Sequence, residues 1–250
     1  YTYTVEALMY NGVALQSGTS HFFGQKFSKA YDIKYLNREN KLDYPYQTSW
    51  GVSTRMMGAL IMVHSDDYGL VLPPRIAPNK VVIIPISNDL EVMSMANDYL
   101  DKLKKEGIEA YIDDSEKSPG YKFAEAEVLG IPVRIEIGKR DLENNVITLV
   151  RRDTREKREV FTNTDIVHDV KILLEDIQRD MYDRALRRRE EMTYTCTDIE
   201  DFKDIINNHP GFVKAMWCGD TACEEKIKEI RGCKSRCIPF EEEHLSDKCI

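Results

Sequence analysis

A single arginine, Arg55, stands where a polar, glycine-hinged stretch beginning at Gln47 meets a strongly apolar run, Met56 to Val63. A guanidinium carries permanent charge on a rigid fork of donors, so at the start of a helix it suits a clamp on a polyanion such as triphosphate. Taken alone, an arginine that solvates a helix start is the safer reading. Upstream, Gln16, Thr19 and His21 lie in a polar strand end loosened by Gly18 and Gly24, with Phe22 and Phe23 as apolar wall. These side chains can converge on a ligand, although a lone histidine here also reads as an ordinary core group. Sulfur supplies the second chemistry. Five of the six cysteines lie at Cys218 or beyond, which is metal-like clustering and no dispersed disulfide framework. Cys218 and Cys223 sit at a strand-to-helix corner, at a spacing from which two thiolates reach one tetrahedral Zn²⁺. Cys233 and Cys237 could close that set. Reduced, merely packed cysteines remain the alternative for Cys196, Cys233 and Cys237. The stretch from His64 to Asp67 reads as a polar helix end, with a metal site ranked far below.

The elements that must position these groups follow from periodicity. Thr2 to Met9 alternates as a strand, Asn11-Gly12 makes a tight turn, and Val13 starts the return. Met56 to Val63 predicts a helix buried round most of its circumference, broken at Gly69 and stopped by Pro73-Pro74. From Val81 the pattern becomes β-α-β-α-β-β-α. It comprises a buried strand at Val81, a helix capped by Asn88 or Asp89 and ended by Gly107, and a strand from Ile108. A helix from Tyr121 to Leu129 follows, then strands at Ile131 and Val146 and a long helix from about Thr164 towards Arg189. That order predicts a mixed sheet flanked by helices. An exposed basic helix end, a capped helix at Asp198 and a strand from Gly211 complete the chain.

The wording around Arg55, Gly51-Val-Ser-Thr-Arg55-x-x-Gly58 followed by Gly69-Leu-Val-Leu-Pro-Pro, resembles motif 3 of class II aminoacyl-tRNA synthetases in its prolyl-tRNA synthetase version. The resemblance extends over essentially the whole chain. It implies an α/β and α+β multidomain protein in three parts. Residues 1–78 would be part of a class II antiparallel-sheet core, 79–189 an α/β mixed-sheet anticodon-binding domain, and 190–250 a small α+β zinc-type domain. By the same resemblance Arg55 grips the terminal phosphate of ATP, with Gln16, Ser53 and Thr54 also at the nucleotide. Thr19 and His21 lie near the proline and the tRNA 3′ end, while Trp50 and Gly51 shape the slot for the pyrrolidine ring. Mg²⁺ usually shares the activation step in this class.

Pro119-Gly-Tyr-Lys-Phe and the run Gly130 to Asp141 resemble the class IIa anticodon-binding domain. The candidates for reading the anticodon of tRNA(Pro) are Lys122, Glu127, Arg134, Lys139 and Arg140, residue types that match the edges of guanine. For the metal, the family suggests Cys218 and Cys223 with Cys249 and a further cysteine just beyond Ile250. The family's motifs 1 and 2 would precede Tyr1, so this chain alone is expected not to complete the active site. The family is homodimeric.

Net charge is −8, with the acidic excess concentrated in residues 79–183. That disfavours non-specific nucleic-acid binding, DNA included, and leaves room for specific recognition through local basic clusters. No apolar stretch reaches membrane-spanning length, so the expected location is cytoplasmic with no membrane partner. The leading expectation is a proline–tRNA ligase acting on L-proline, ATP and tRNA(Pro). Its rival is a non-catalytic RNA-binding paralogue, against which the presence of Arg55, Gln16, Thr19 and His21 argues. A third reading, a zinc-dependent module, leaves residues 1–183 unexplained.

Overall fold

Strand β1 (Thr2–Leu8) runs antiparallel to β2 (Ala14–Gly24) through a turn closed by Met9 N–H donating to the Val13 carbonyl at 2.9 Å. Gly12 in that turn has φ +77°, and a Cβ there would lie 2.6 Å from Pro210. Glycine is therefore demanded by both backbone and space. After α1 (Lys26–Ala30) and the short strands β3 (Tyr35–Leu36) and β4 (Leu42–Asp43), β5 (Gln47–Val52) pairs with β2. The sheet order is β1-β2-β5. This computed structural model describes residues 1–230 and 232–250.

The helix read from the apolar run is α2 (Arg55–His64), and two expectations about it need correction. It ends at His64, ahead of the turn in which Asp66 and Gly69 bridge, so Gly69 is not its breaker. Nor is it buried round its circumference. Ala59 is the buried residue, whereas Met56, Met57, Ile61 and Met62 are all exposed. Periodicity registers how apolar a helix is; it does not say which surface will cover it.

The middle of the chain gives β6 (Val81–Pro85), α3 (Leu90–Lys105), β7 (Ala110–Ile112), α4 (Pro119–Leu129), β8 (Val133–Ile137), α5 (Lys139–Glu143), β9 (Val146–Arg151), β10 (Lys157–Phe161) and α6 (Ile166–Glu191). The five strands order as β10-β9-β8-β6-β7. β7, β6 and β8 are parallel and the remaining pairs antiparallel, which is the mixed sheet expected. Val81 and Ile83 pack with Val92, Ala96 and Leu103 of α3 and with Val170, Leu173 and Ile177 of α6. Val82 and Ile84 face the other way, onto Ala126 and Phe123 of α4. Cover on both faces is why β6 reads as an unbroken apolar run. α5 and β10 were absent from the expected order. A five-residue helix carries too little period to register, and β10 buries only Val160 of its five residues.

The chain closes with β11 (Thr193–Thr195), α7 (Ile199–Asn208), β12 (Phe212–Lys214) and α8 (Thr221–Lys228). β11 and β12 are parallel. α7 is capped by Asp198, whose carboxylate accepts from the Glu200 and Asp201 N–H groups. Two compact units result, residues 1–63 with 188–250, and residues 64–187. The first is knit by Arg188, which donates to the Val63 carbonyl at 3.0 Å and stands 3.8 Å above the Tyr10 ring. Residues 64–78, grouped in sequence with the first segment, lie in the second unit. There Leu70 N–H bonds the Val128 carbonyl. Among the described residues no helix is long and apolar enough to cross a membrane.

Candidate active site

Strict alternation along β2 puts Gln16 on the opposite face from Thr19 and His21. The β1–β2 register slips between Val5 and Glu6: Val5 opposes Gly18 and Glu6 opposes Gln16, leaving Ser17 as the extra residue of a bulge. The bulge returns Gln16 to the face of Thr19 and His21. Thr2, Thr4 and Glu6 are their partners on β1. Thr2 Oγ1 and His21 Nδ1 lie 2.9 Å apart. Gln16 Nε2 donates to Thr4 Oγ1 at 3.0 Å, and Thr4 Oγ1 donates to Glu6 Oε1 at 3.0 Å. On β5, Gly51 opposes Thr19 and extends this polar face. Trp50 opposes Ser20 and so belongs to the other face, 79% exposed. The arrangement brings Gln16, Thr19, His21 and Gly51 together and leaves Trp50 apart from them. Phe23 stacks on His21 with centroids 5.2 Å apart, giving the imidazole an apolar flank.

Arg55 begins α2. Its backbone N–H donates to Ser53 Oγ at 3.3 Å, and its guanidinium Nη1 donates to the Gln16 carbonyl at 3.3 Å. Arg55 is thereby tied to β2 beside the bulge, exposed, with one of its five N–H donors engaged among the described residues. Thr54 is exposed in the turn before it. Sequence reasoning passed over Thr4 and Glu6, although polar residues at positions 2, 4 and 6 alternating with Tyr3 and Val5 carried the signal.

In the second unit the five basic and acidic candidates divide. Arg134 is 7% exposed. Its Nε and Nη2 donate to Glu136 Oε1 at 2.9 Å, and its Nη1 reaches Glu127 at 3.5 Å. The guanidinium also lies 4.5 Å from the centre of the Phe123 ring. Lys122 is 4% exposed and donates to the Asp113 carbonyl at 2.8 Å. These groups are engaged internally. Lys139 and Arg140, at the start of α5, are exposed, and Lys139 Nζ is 3.7 Å from Asp89.

Cys218, Cys223 and Cys249 bring their sulfurs within 4.8 Å of one another. A hydrogen bond from the Asp220 backbone, then the neighbouring thiols, hold Cys218 below the usual thiol range. Cys223 is pushed up to about 11, chiefly by Cys218. One sulfur disposed to be thiolate beside two more fits three corners of a tetrahedral zinc site. Cys233 and Cys237 fall outside that group, their thiols pushed up by burial. Cys196 is buried at 2% exposure and pushed up to about 11 by desolvation, as a packing cysteine would be.

Residues 80–166 match the anticodon binding domain family, and residues 199–250 match the family described as prolyl-tRNA synthetase, C-terminal. The chain is 53% identical over 252 residues to a proline–tRNA ligase of Clostridium novyi. It is 54% identical over 250 residues to one of Lachnoclostridium phytofermentans. Each alignment takes in all of this chain and 52% of the relative, so the chain spans about half the length of the curated relatives it matches. Among solved structures, prolyl-tRNA synthetase from Cryptosporidium parvum complexed with L-proline and AMP aligns with 99% of this chain and 54% of its own. The TM-score is 0.89 at 36% identity.

Proposed function

We propose, for a chain that belongs to the prolyl-tRNA synthetase family and matches its C-terminal portion, that the full-length protein is a proline–tRNA ligase. The observation that carries this reading is the bulge-aligned polar face of Gln16, Thr19 and His21 beside a tethered, exposed Arg55. The L-proline and AMP named with the Cryptosporidium parvum structure support proline and ATP as the substrates.

The proline carboxylate attacks the α-phosphate of ATP, the bond to pyrophosphate breaks, and prolyl-adenylate forms. The 2′- or 3′-hydroxyl of the tRNA(Pro) terminal ribose then attacks the acyl carbon, losing its proton as AMP leaves. No protein nucleophile is required; the enzyme aligns the reactants and stabilises charge. Arg55 holds the terminal phosphate, with Ser53 and Thr54 lining the nucleotide, and Gln16 addresses the ribose. Thr19, His21 and Gly51 border the proline and the tRNA 3′ end; Trp50 belongs to the same slot only through its neighbour Gly51. Mg²⁺, when present with ATP, would supply Lewis-acid charge neutralisation. Among the described residues no cluster of three carboxylates or imidazoles accompanies this face, so no ligand to that ion is assigned.

In this reading residues 1–78 belong to a class II core whose last stretch, 64–78, packs within the second unit, 79–189 bind the anticodon and 190–250 form a zinc-type domain. Lys139 and Arg140 are the readers best presented to RNA, while Lys122, Glu127 and Arg134 shape the surface beneath. Cys218, Cys223 and Cys249 would hold Zn²⁺. A cytoplasmic homodimer completes the proposal on family resemblance alone.

Proline-dependent ATP–pyrophosphate exchange by the full-length protein, with cysteine and alanine as competitors, tests the activity. Arg55→Ala is expected to lower exchange by about 10²–10³-fold, the scale of losing one charge-stabilising donor. A folded protein without exchange would overturn the ligase in favour of the RNA-binding paralogue. Metal analysis tests the cysteines: about one zinc per chain is expected, lost in Cys218→Ser and kept in Cys196→Ser. Zinc retained by Cys218→Ser would remove that assignment.

A further inference from the structure

Glu6 is the charged group of the polar face that the ligase reading does not use. Its side chain is 7% exposed, and its Oε2 is buried with no hydrogen-bond partner among the described residues. A carboxylate oxygen left so is costly unless a cation answers it. Arg236 does so: its Nη1 lies 3.8 Å from Oε2. The segment carrying Arg236 meets β1 a second time, where the Phe240 and Tyr3 rings are 5.8 Å apart. Cys237 senses the same carboxylate, which adds to burial in pushing its thiol up.

The other oxygen of Glu6 sets a direction. Oε1 accepts from Thr4 Oγ1 at 3.0 Å, a nearer acceptor for that hydroxyl than the Gly18 carbonyl at 3.4 Å. A hydroxyl has one hydrogen, so Thr4 must then accept from Gln16, whose Nε2 lies 3.0 Å away. That fixes the Gln16 amide with its nitrogen inward, leaving its oxygen as an acceptor for a ligand hydroxyl. The backbone carbonyl of the same Gln16 tethers Arg55 at 3.3 Å.

We infer that Arg236 and Glu6 are a positioning pair for nucleotide binding, acting through Thr4 on the orientation of Gln16 and the tether of Arg55. The inference rests on the ligase reading for the identity of the nucleotide, ATP. It predicts that polarity matters as well as charge. In Glu6→Gln the new amide can donate to Thr4, Thr4 can then donate to Gln16, and the Gln16 amide flips.

The test is ATP affinity by titration calorimetry on the full-length protein, alongside KM for ATP and proline in pyrophosphate exchange. Arg236→Ala and Glu6→Gln are each expected to weaken ATP binding about tenfold, the scale of one lost charged hydrogen-bond partner. KM for proline should stay within about twofold, because the pair acts on nucleotide-binding groups. Arg236→Lys should recover most of the affinity, and the double variant should be no weaker than Glu6→Gln alone, as expected of coupled sites. Unchanged ATP affinity in Arg236→Ala overturns the inference. So does a parallel loss of ATP and proline binding with a fallen unfolding midpoint, which marks a purely structural role. Should Glu6→Gln fail to fold, Arg236→Ala and Arg236→Lys decide. A wild-type protein that binds ATP without exchanging it overturns the ligase alone, and the variants' ATP affinities still judge the pair. A wild-type protein that binds no ATP overturns both.

Discussion

Arg55 and Arg134 are both arginines that the sequence marks for ligand binding, and the two units treat them in opposite ways. Arg55 is exposed at a helix start and spends one donor on a backbone carbonyl 3.3 Å away. Arg134 is 7% exposed on a central strand, held by Glu136 and Glu127 and covered by the Phe123 ring. Around Arg55 the neighbours Gln16 and Ser53 are neutral, and among the described residues no carboxylate is paired with it, as the proposed grip on a polyanion requires. Around Arg134 the charge is already answered. Residue type alone does not separate a binding group from a structural one; the partners it already has do.

The sharpest way to break that comparison is to remove each guanidinium and read stability. Arg134→Ala leaves Glu136, itself 7% exposed, without its closest cation. Among the described residues Lys157, 3.1 Å from Oε2, remains. Breaking a buried pair from one side costs about 3–5 kcal/mol, expected as a loss of the second unit in denaturant-induced unfolding. Arg55→Ala should cost no more than about 0.5 kcal/mol, as for an exposed side chain with one weak contact. If both variants unfold alike, the distinction drawn here between an available and an occupied arginine is wrong.

The same contrast explains what was legible in the chain. The unbroken Val81-Val-Ile-Ile run gave its strand away because α3 and α6 cover one face and α4 the other. Strand β8 was also legible, from Val133, Ile135 and Ile137, but alternation implies that Arg134 and Glu136 face solvent. They are buried instead, paired with each other beneath Glu127, the Phe123 ring and the exposed Lys157, a polar layer that no periodicity encodes. On β2, Gln16, Thr19 and His21 were recognisable by type, whereas their common face depends on the bulge at Ser17. A one-residue slip in register is invisible when one strand is read alone. The pairing of Glu6 with Arg236, which spans 230 positions, had no local signal at all. Met56, Met57, Ile61 and Met62 were read correctly as helix and wrongly as buried, because burial is a property of the neighbours.

Asp66 and Arg152 lie between the two extremes, and so does the effect expected of breaking them. Arg152 has a side chain 2% exposed, bonded to both Asp66 oxygens at 2.9 and 2.6 Å and to the Glu127 carbonyl at 2.9 Å. The Asp66 side chain is 39% exposed. The bond from Arg152 is the main cause holding its carboxyl below the usual carboxylate range, against a smaller opposing effect of burial. A folded-state pKa below the unfolded value of 3.8 gives a contribution that is complete well above that value. It is lost as pH falls through the folded pKa. Asp66→Asn should therefore destabilise the second unit at neutral pH by only about 1 kcal/mol, after discounting for solvent screening at the exposed carboxylate. The difference between wild type and variant should shrink once pH drops below about 4. Urea unfolding of both proteins across that range measures it. A difference that stays constant into acid would mean that shape, and not the charge of Asp66, holds Arg152 in place.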